Sequence, residues 1–292
     1  MSQAVVEAQA IEHLNQGESV VGFIEKMAVS LDESNNATYA LRVNDRHIDA
    51  NTLIGQHITL EFMGAIECVA CGRKTKKSFS QGHCYPCMKK LARCDQCIVS
   101  PEKCHYHLGT CREPEWGEQF CMTDHIVYLA NTSGAKVGIT RASQIPTRWI
   151  DQGATQALPI LRVATRQLSG LIETALKADI ADKTNWRTML KGNGEDVDLL
   201  ALKQQLLEKH RDVLAQLRSE HGDLAVVELE VMPVSIHYPV KAFPKTIKSF
   251  NLDKDPVATG CIQGIKGQYL LLDTGVINLR KYTGYQLKVA AG

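Results

Sequence analysis

Ten cysteines occur in this 292-residue chain, and nine of them fall between Cys68 and Cys121. Three pairs have C-x-x-C spacing: Cys68/Cys71, Cys84/Cys87 and Cys94/Cys97. A C-x-x-C turn points two thiolates at one ion, and two such turns complete the tetrahedral shell of a structural zinc. Cys68, Cys71, Cys84 and Cys87 flank the basic loop Arg73-Lys-Thr-Lys-Lys and predict one zinc of this kind. Cys94, Cys97, Cys104 and Cys111 are the simplest quartet for a second, with His105, His107, Cys121 or His125 as substitutes. Free thiols or transient disulfides are the competing reading, and the density of cysteines in so short a run argues against it. The stretch holds few apolar residues, so metal is expected to replace a hydrophobic core there.

The rest of the composition narrows the class. With 44% hydrophobic and 22% charged residues the chain is an ordinary globular sequence, long enough for two domains or for one with appended modules. Net charge is +1, but its distribution is uneven. Cys68 to Arg112 carries nine Lys/Arg against two acids, and His237 to Gly292 carries eight against three. Two basic regions on a neutral chain predict a surface that faces a polyanion, with nucleic acid as the expected partner and DNA or RNA left open. The first 18 residues contain Glu7, Glu12 and Glu18 and no Lys or Arg, which does not fit a signal peptide. No apolar run approaches the roughly 18 residues that span a bilayer. A cytoplasmic location without membrane association is expected, where zinc is favoured over disulfides. H-E-x-x-H, G-x-S-x-G and G-x-G-x-x-G are absent, so zincin, serine-hydrolase and dinucleotide-binding chemistry have no support.

These residues must be positioned by an α+β fold in five stretches. Residues 1–66 form an N-terminal β-rich region that opens on a short helix over 1–18. Strands are expected at Val20–Ile24, Tyr39–Val43 and His57–Phe62, with turns at Asn35-Asn36, Asn44-Asp45 and Gly55. Residues 67–122 are the Cys-rich, zinc-ribbon-like module. Residues 123–194 follow as hairpin, helix, strand, helix. The hairpin strands are Ile126–Ala130 and Lys136–Thr140, and Pro146 and Gly153 bound the first helix. Leu158–Thr165 is the third strand. Leu168, Leu171, Ile172, Ala175, Leu176 and Ile180 give the last helix one apolar face. Residues 195–222 are a helical connector, read as one helix over 198–219 ended by Gly222. Residues 223–292 are a C-terminal β-rich region, with strands at Ala225–Met232, Ala258–Gly264, Gln268–Asp273 and Gln286–Val289. The two β-rich ends are expected to pack together. Lys266-Gly-Gln-Tyr-Leu and Asn278-Leu-Arg-Lys-Tyr mix basic and aromatic residues, as a nucleic-acid surface or an ordinary hairpin would. The Arg73-Lys-Thr-Lys-Lys run reads equally as a solvated or a phosphate-contacting loop.

Over residues 125–180 the chain resembles the GIY-YIG nuclease superfamily. Ile126-Val-Tyr128 falls at the first signature and Lys136-Val-Gly138 at the second; Arg148 falls at the helix arginine and Glu173 at the metal-binding glutamate. The Lys136-Val-Gly-Ile-Thr form is similar to a phage-associated branch. Ile126 replaces the first signature's glycine, Lys136 replaces the second signature's tyrosine, and Gln152 stands where a His or Tyr often occurs. The whole chain is similar to an uncharacterised bacterial family that joins a Cys-rich module to such a domain. The resemblance implies a GIY-YIG-like α/β domain over 123–194 with catalytic Tyr128, Lys136, Arg148 and Glu173. Glu173 would hold one Mg²⁺, Arg148 would bind phosphate oxygens and Tyr128 would orient or deprotonate water. Lys136 would add positive charge, and Gly138 would let a phosphate approach the backbone. Taken singly, each has a plainer role: strand packing for Tyr128, a surface lysine for Lys136, pairing with Asp151 for Arg148, a solvated helix position for Glu173. The expected function is a nucleic-acid-binding protein with about two structural zinc ions that acts as a Mg²⁺-dependent endonuclease. The alternative is a non-catalytic DNA/RNA-binding or protein-interaction module stabilised by zinc.

Overall fold

The computed structural model describes residues 10–292 as a mixed α+β chain with several sheets. The first strands are β1 (Ile11–Glu12), β2 (Ser19–Phe23), β3 (Ala28–Leu31), β4 (Ala37–Val43), β5 (Arg46–Asp49) and β6 (His57–Ile66). Then come α1 (Tyr85–Lys90), α2 (Pro114–Phe120), β7 (His125–Asn131), β8 (Ala135–Arg141), α3 (Thr147–Asp151), β9 (Gln156–Val163) and α4 (Arg166–Leu176). Next are α5 (Trp186–Met189), α6 (Leu199–Lys209), α7 (Arg211–His221), β10 (Val226–Glu228) and β11 (Val234–Ser235). The chain closes with β12 (Val257–Lys266), β13 (Tyr269–Leu272), β14 (Gly275–Asn278) and β15 (Tyr285–Ala291). No helix among the described residues is long and apolar enough to cross a membrane.

The chain divides into two compact units. The first takes residues up to Ser30, Thr38–Cys84 and Pro239–Gly292. Its larger sheet has the order β14-β13-β12-β6-β15-β2, so β6 pairs antiparallel with both β12 and β15. The β-rich ends of the sequence therefore share one sheet, as expected. β15 shows why: Tyr285, Leu287, Val289 and Ala291 are buried while the residues between them are half-buried, the period-2 pattern of a strand over a core. A smaller sheet has the order β1-β5-β4-β3. The expected turns occur where Asn35 and Asn44 take left-handed φ of 60° and 51°. The helix expected over 1–18 lies partly outside the described residues, and the part that is described is not helical. Ile11–Glu12 instead pairs with β5, because an edge strand with open backbone groups recruits it more effectively than a short helix can hold itself.

The second unit takes Leu31–Ala37 and Tyr85–Tyr238. Its sheet runs β10-β9-β7-β8 with β11 also on β9, every neighbour antiparallel. β7 is central and buried along its whole length. The order β7-β8-α3-β9-α4 is the hairpin–helix–strand–helix succession read from the sequence. Thr165 caps α4 by accepting from Leu168 N at 3.2 Å. Leu168, Ile172 and Leu176 of α4 join Val127, Leu129, Val137 and Ile160 of the sheet and leucines of α6 and α7 in one apolar core. Two expectations change. The helix over 198–219 is two helices, because His210 at φ −101°, ψ 14° leaves helical geometry where no Gly or Pro marks a break. The strand over Ala225–Met232 is limited to Val226–Glu228; Pro233, which lacks an N–H and restricts Met232 before it, separates it from β11.

Candidate functional site

Cys68, Cys71, Cys84 and Cys87 bring their four sulfurs within 4.8 Å of one another. Cys71 Sγ and Cys84 Sγ are 3.8 Å apart, which equals the edge of about 3.8 Å in a tetrahedron with Zn–S bonds of about 2.3 Å. The donor set is all thiolate, the choice of a structural zinc, so these residues form a group able to hold a metal ion such as zinc. The local folding explains how. Gly72 N donates to Cys68 O and Cys68 N to Arg73 O, closing the first turn. Phe79 and His83 exchange two backbone hydrogen bonds of 2.8 Å just before Cys84. Burial pushes the Cys68 thiol up, but the backbone N–H groups of Cys84, Ala70 and Cys71 outweigh it and hold the thiol at about 6.

A second group lies within the second unit. A cavity of about 20 Å³ is lined by Cys97, Cys104, Cys111 and Cys121 together with Asp95 and His105. That is the size of one water or ion. Three of the four cysteines expected at a second zinc line it, and so does the substitute Cys121; Cys94 is not among its walls. Asp95, Cys97 and His105 each bring a ligand atom within 4.8 Å of the others. Asp95 is already engaged: Oδ1 accepts from Gln96 N at 2.6 Å and Oδ2 takes Arg112 Nε at 2.7 Å. Burial pushes the Cys97 thiol up to about 11, and Asp95 and the facing Cys104, Cys121 and Cys111 add to it. Of the other substitutes, His107 is exposed. His125 is fully buried, close to Arg141 and Arg166, with Nδ1 2.7 Å from Thr123 O and no hydrogen-bond partner for Nε2 among the described residues. The cysteine segment is docked on α4. Arg166 Nη2 donates to Ile98 O at 2.6 Å, Gln167 Nε2 donates to Cys104 O at 3.2 Å, and a Cβ on Gly170 would stand 2.5 Å from Glu102 N.

The residues named from the resemblance are also collected in this unit. Tyr128 on β7 pairs across the hairpin with Gly138 on β8, and a Cβ on Gly138 would lie 2.6 Å from the tyrosine Cζ and Oη. The space in front of Gly138 is thus filled by the Tyr128 ring and is not open to a phosphate. Gln152 links Tyr128 to Arg148. With its amide oxygen facing the guanidinium, it accepts from Arg148 Nε at 3.2 Å and Nη2 at 3.0 Å while Nε2 donates to Tyr128 Oη at 2.8 Å. That orientation satisfies both ends of the amide, whereas the reverse satisfies only the tyrosine. Arg148 and Glu173 both act electrostatically on Tyr128 and on Lys136. Burial dominates the protonation of all three: it raises Tyr128 and Glu173 and, with Arg148, lowers Lys136 to about 8. Lys136 is only 4% exposed and so is not the surface lysine of the plainer reading, whereas the full enclosure of Tyr128 agrees with strand packing.

Two participants went unread. The apolar pattern of α4 continues to Ile180, but the helix ends at Leu176 and the chain returns along β8, where Val137 N donates to Ala181 O at 2.8 Å. This return brings Asp182 beside Lys136 and Glu173. Lys177 spans the two carboxylates, 3.1 Å from Asp182 Oδ2 and 4.0 Å from Glu173 Oε2. Its ammonium stands where a cation shared by Glu173 and Asp182 would act, and hard carboxylate oxygens are the donors Mg²⁺ takes. Among the basic–aromatic candidates, Lys266 is fully buried, with its ammonium 5.5 Å from the centroid of the Phe243 ring, and is no part of a surface.

A family model described as Protein of unknown function (DUF2797) matches residues 55–287, and the chain belongs to that family. No curated protein and no solved structure matches the chain.

Proposed function

We propose that this member of the family is a cytoplasmic, zinc-holding nucleic-acid-binding protein with a divergent GIY-YIG-like domain over 123–194. In it, Arg148, Lys136 and Glu173 hydrolyse a phosphodiester. The observation that carries the reading is convergence: residues chosen by their order along the sequence meet in one electrostatic cluster built from two strands and two helices. Gln152 holds two N–H groups of Arg148, Tyr128 also hydrogen-bonds with the guanidinium, and the N–H groups left over are assigned to phosphate oxygens. Lys136, lowered to about 8, can exchange protons near neutrality and is assigned the proton transfer. Tyr128 is enclosed and acts as a positioning residue that fixes Gln152. Glu173 and Asp182 would hold Mg²⁺ once Lys177 swings away, and that ion would neutralise charge developing on the phosphate. The second zinc is assigned to the cavity of Cys97, Cys104, Cys111 and Cys121.

A plasmid-nicking assay with Mg²⁺ tests this. Glu173→Gln and Arg148→Ala are each expected to lower the rate by roughly 10²-fold or more. Nicking that survives both substitutions removes the cluster from consideration. The Lys177 bridge favours a second reading, in which the domain binds nucleic acid without cutting it. Salt-dependent binding by a protein that never nicks would select that reading.

A further inference from the structure

Two basic motifs that are about 200 residues apart in sequence meet within the first unit. Lys76 and Lys77, from the loop between the two C-x-x-C turns, and Arg280 and Lys281, from the turn after β14, line one open cavity of about 620 Å³. That volume falls in the range of about 300–1,000 Å³ in which small ligands are bound. The lining residues are of polar or charged type, and Asp253 is the one acid among them. It is shared: Tyr285 Oη donates to it at 2.8 Å and Lys281 Nζ is 3.7 Å away. Four cations against one carboxylate leave a local positive excess on a chain whose total charge is +1.

The loop is built to hold this shape. Ser80 and Gln81 both take left-handed φ, 42° and 60°, which non-glycine residues adopt only where surroundings enforce it. Gly82 N donates to Ser78 Oγ at 2.8 Å, and Gln81 Oε1 accepts from Arg280 Nε at 2.7 Å. Asn278 Oδ1 accepts from Arg280 N at 3.1 Å and fixes the opposite wall. The loop's two ends are Cys71 and Cys84, whose sulfurs face each other at 3.8 Å. A metal there fastens both ends of the segment that presents Lys76 and Lys77.

We propose that this cavity binds the phosphodiester backbone of a nucleic-acid strand through Lys76, Lys77, Arg280 and Lys281, and that the zinc at Cys68–Cys87 holds it in binding shape. The inference rests on the nucleic-acid reading above. It adds a second phosphate site that reads no sequence, since lysines act on phosphate as point charges. It carries no phosphate-loop glycine pattern, so a strand lying across it is favoured over a free nucleotide.

The test is fluorescence anisotropy with a labelled 20-nucleotide single strand, titrated at several salt concentrations. Each lost phosphate contact should reduce the slope of log affinity against log salt by about 0.7. Lys76→Gln/Lys77→Gln should therefore flatten it by about 1.4 and weaken binding about tenfold or more at low salt. Arg148→Ala should leave the contribution of this cavity intact. Removing zinc with a chelator should weaken binding further in the unmodified protein than in the double variant, with folding followed by circular dichroism. If the double variant keeps the full affinity and slope while Arg148→Ala loses both, the cavity is overturned and the nucleic-acid reading stands. If the unmodified protein binds neither single strand nor duplex at about 20 mM salt, both are overturned.

Discussion

At the first cysteine group, backbone N–H groups outweigh burial and hold the Cys68 thiol at about 6; at the second, burial and facing negative charge push Cys97 up to about 11. The residue type is the same and the preparation is opposite. Around Cys68 the turns aim N–H dipoles at the sulfur, so thiolate is favoured before any ion arrives. Around Cys97, thiols and Asp95 face one another across a cavity the size of one ion, with the Arg166 guanidinium close by. Four thiolates there would repel one another, and a bound cation would offset that repulsion. The first group is laid out by the backbone as a site able to hold a metal ion, while the second would depend on a bound ion for its shape. That dependence reaches α4, which carries Glu173, through the hydrogen bonds of Arg166 and Gln167.

The largest effect that can break this comparison is loss of a ligand. Structural zinc contributes about 10–16 kcal/mol of apparent binding free energy in small modules. Cys84→Ser and Cys111→Ser should each lower the zinc content by one ion per chain, with a fall in Tm of roughly 10 °C or more. Cys94→Ser should keep both ions. Zinc quantified by a colorimetric chelator after unfolding checks this. Retention of two ions by Cys121→Ser together with loss of one by Cys94→Ser would reverse the assignment.

Cys94 also shows where the sequence stops being readable. The first group is legible because C-x-x-C spacing is local: one turn carries both sulfurs whatever the rest of the chain does. Cys94 and Cys97 have the same spacing, yet they belong to separate 3₁₀ turns, Ala92–Cys94 and Gln96–Ile98, with Asp95 extended between them. The true neighbours of Cys97 come from residues 104, 111 and 121, brought in by packing on α4 that no spacing encodes. The same division runs through the fold. Hairpin β7–β8 follows from two short apolar runs joined by a turn, and the apolar face of α4 from period 3.6. The pairing of β6 with β12 and β15 joins segments roughly 200 and 225 residues apart, whose partners and register a single sequence does not signal. Asp182 was missed because apolar Ile180 prolonged the helical pattern past the real end at Leu176.

A smaller effect comes from His125, four residues beyond the last cysteine of the second group. Burial lowers it from its ordinary value of 6.5 to about 4, against the help of the Thr123 carbonyl. The unfolded chain therefore takes up a proton below about pH 6.5 that the folded chain refuses until about pH 4. Stability is whole above that window and falls through it by about 1.4 kcal/mol per unit, about 3 kcal/mol in all. Urea unfolding at pH 7, 5.5 and 4.5 should show His125→Asn with the shallower decline. Equal declines at equal zinc content would mean that acid acts on the second group only through its metal.

The smallest expected effect separates the two groups most directly. Protons compete with zinc for thiolates, and a thiol that binds its proton more tightly competes better. As pH falls, the zinc lined by Cys97 should leave first and the zinc of Cys68, Cys71, Cys84 and Cys87 second, with midpoints on the order of one pH unit apart. Zinc release followed from pH 7 to pH 4 in Cys111→Ser and Cys84→Ser assigns each step, because each variant retains one site. The sign is what matters. If the ion retained in Cys84→Ser outlasts the ion retained in Cys111→Ser, backbone N–H groups at Cys68 do not prepare that site. The difference between the two groups would then lie in how tightly each is packed rather than in how each holds its protons.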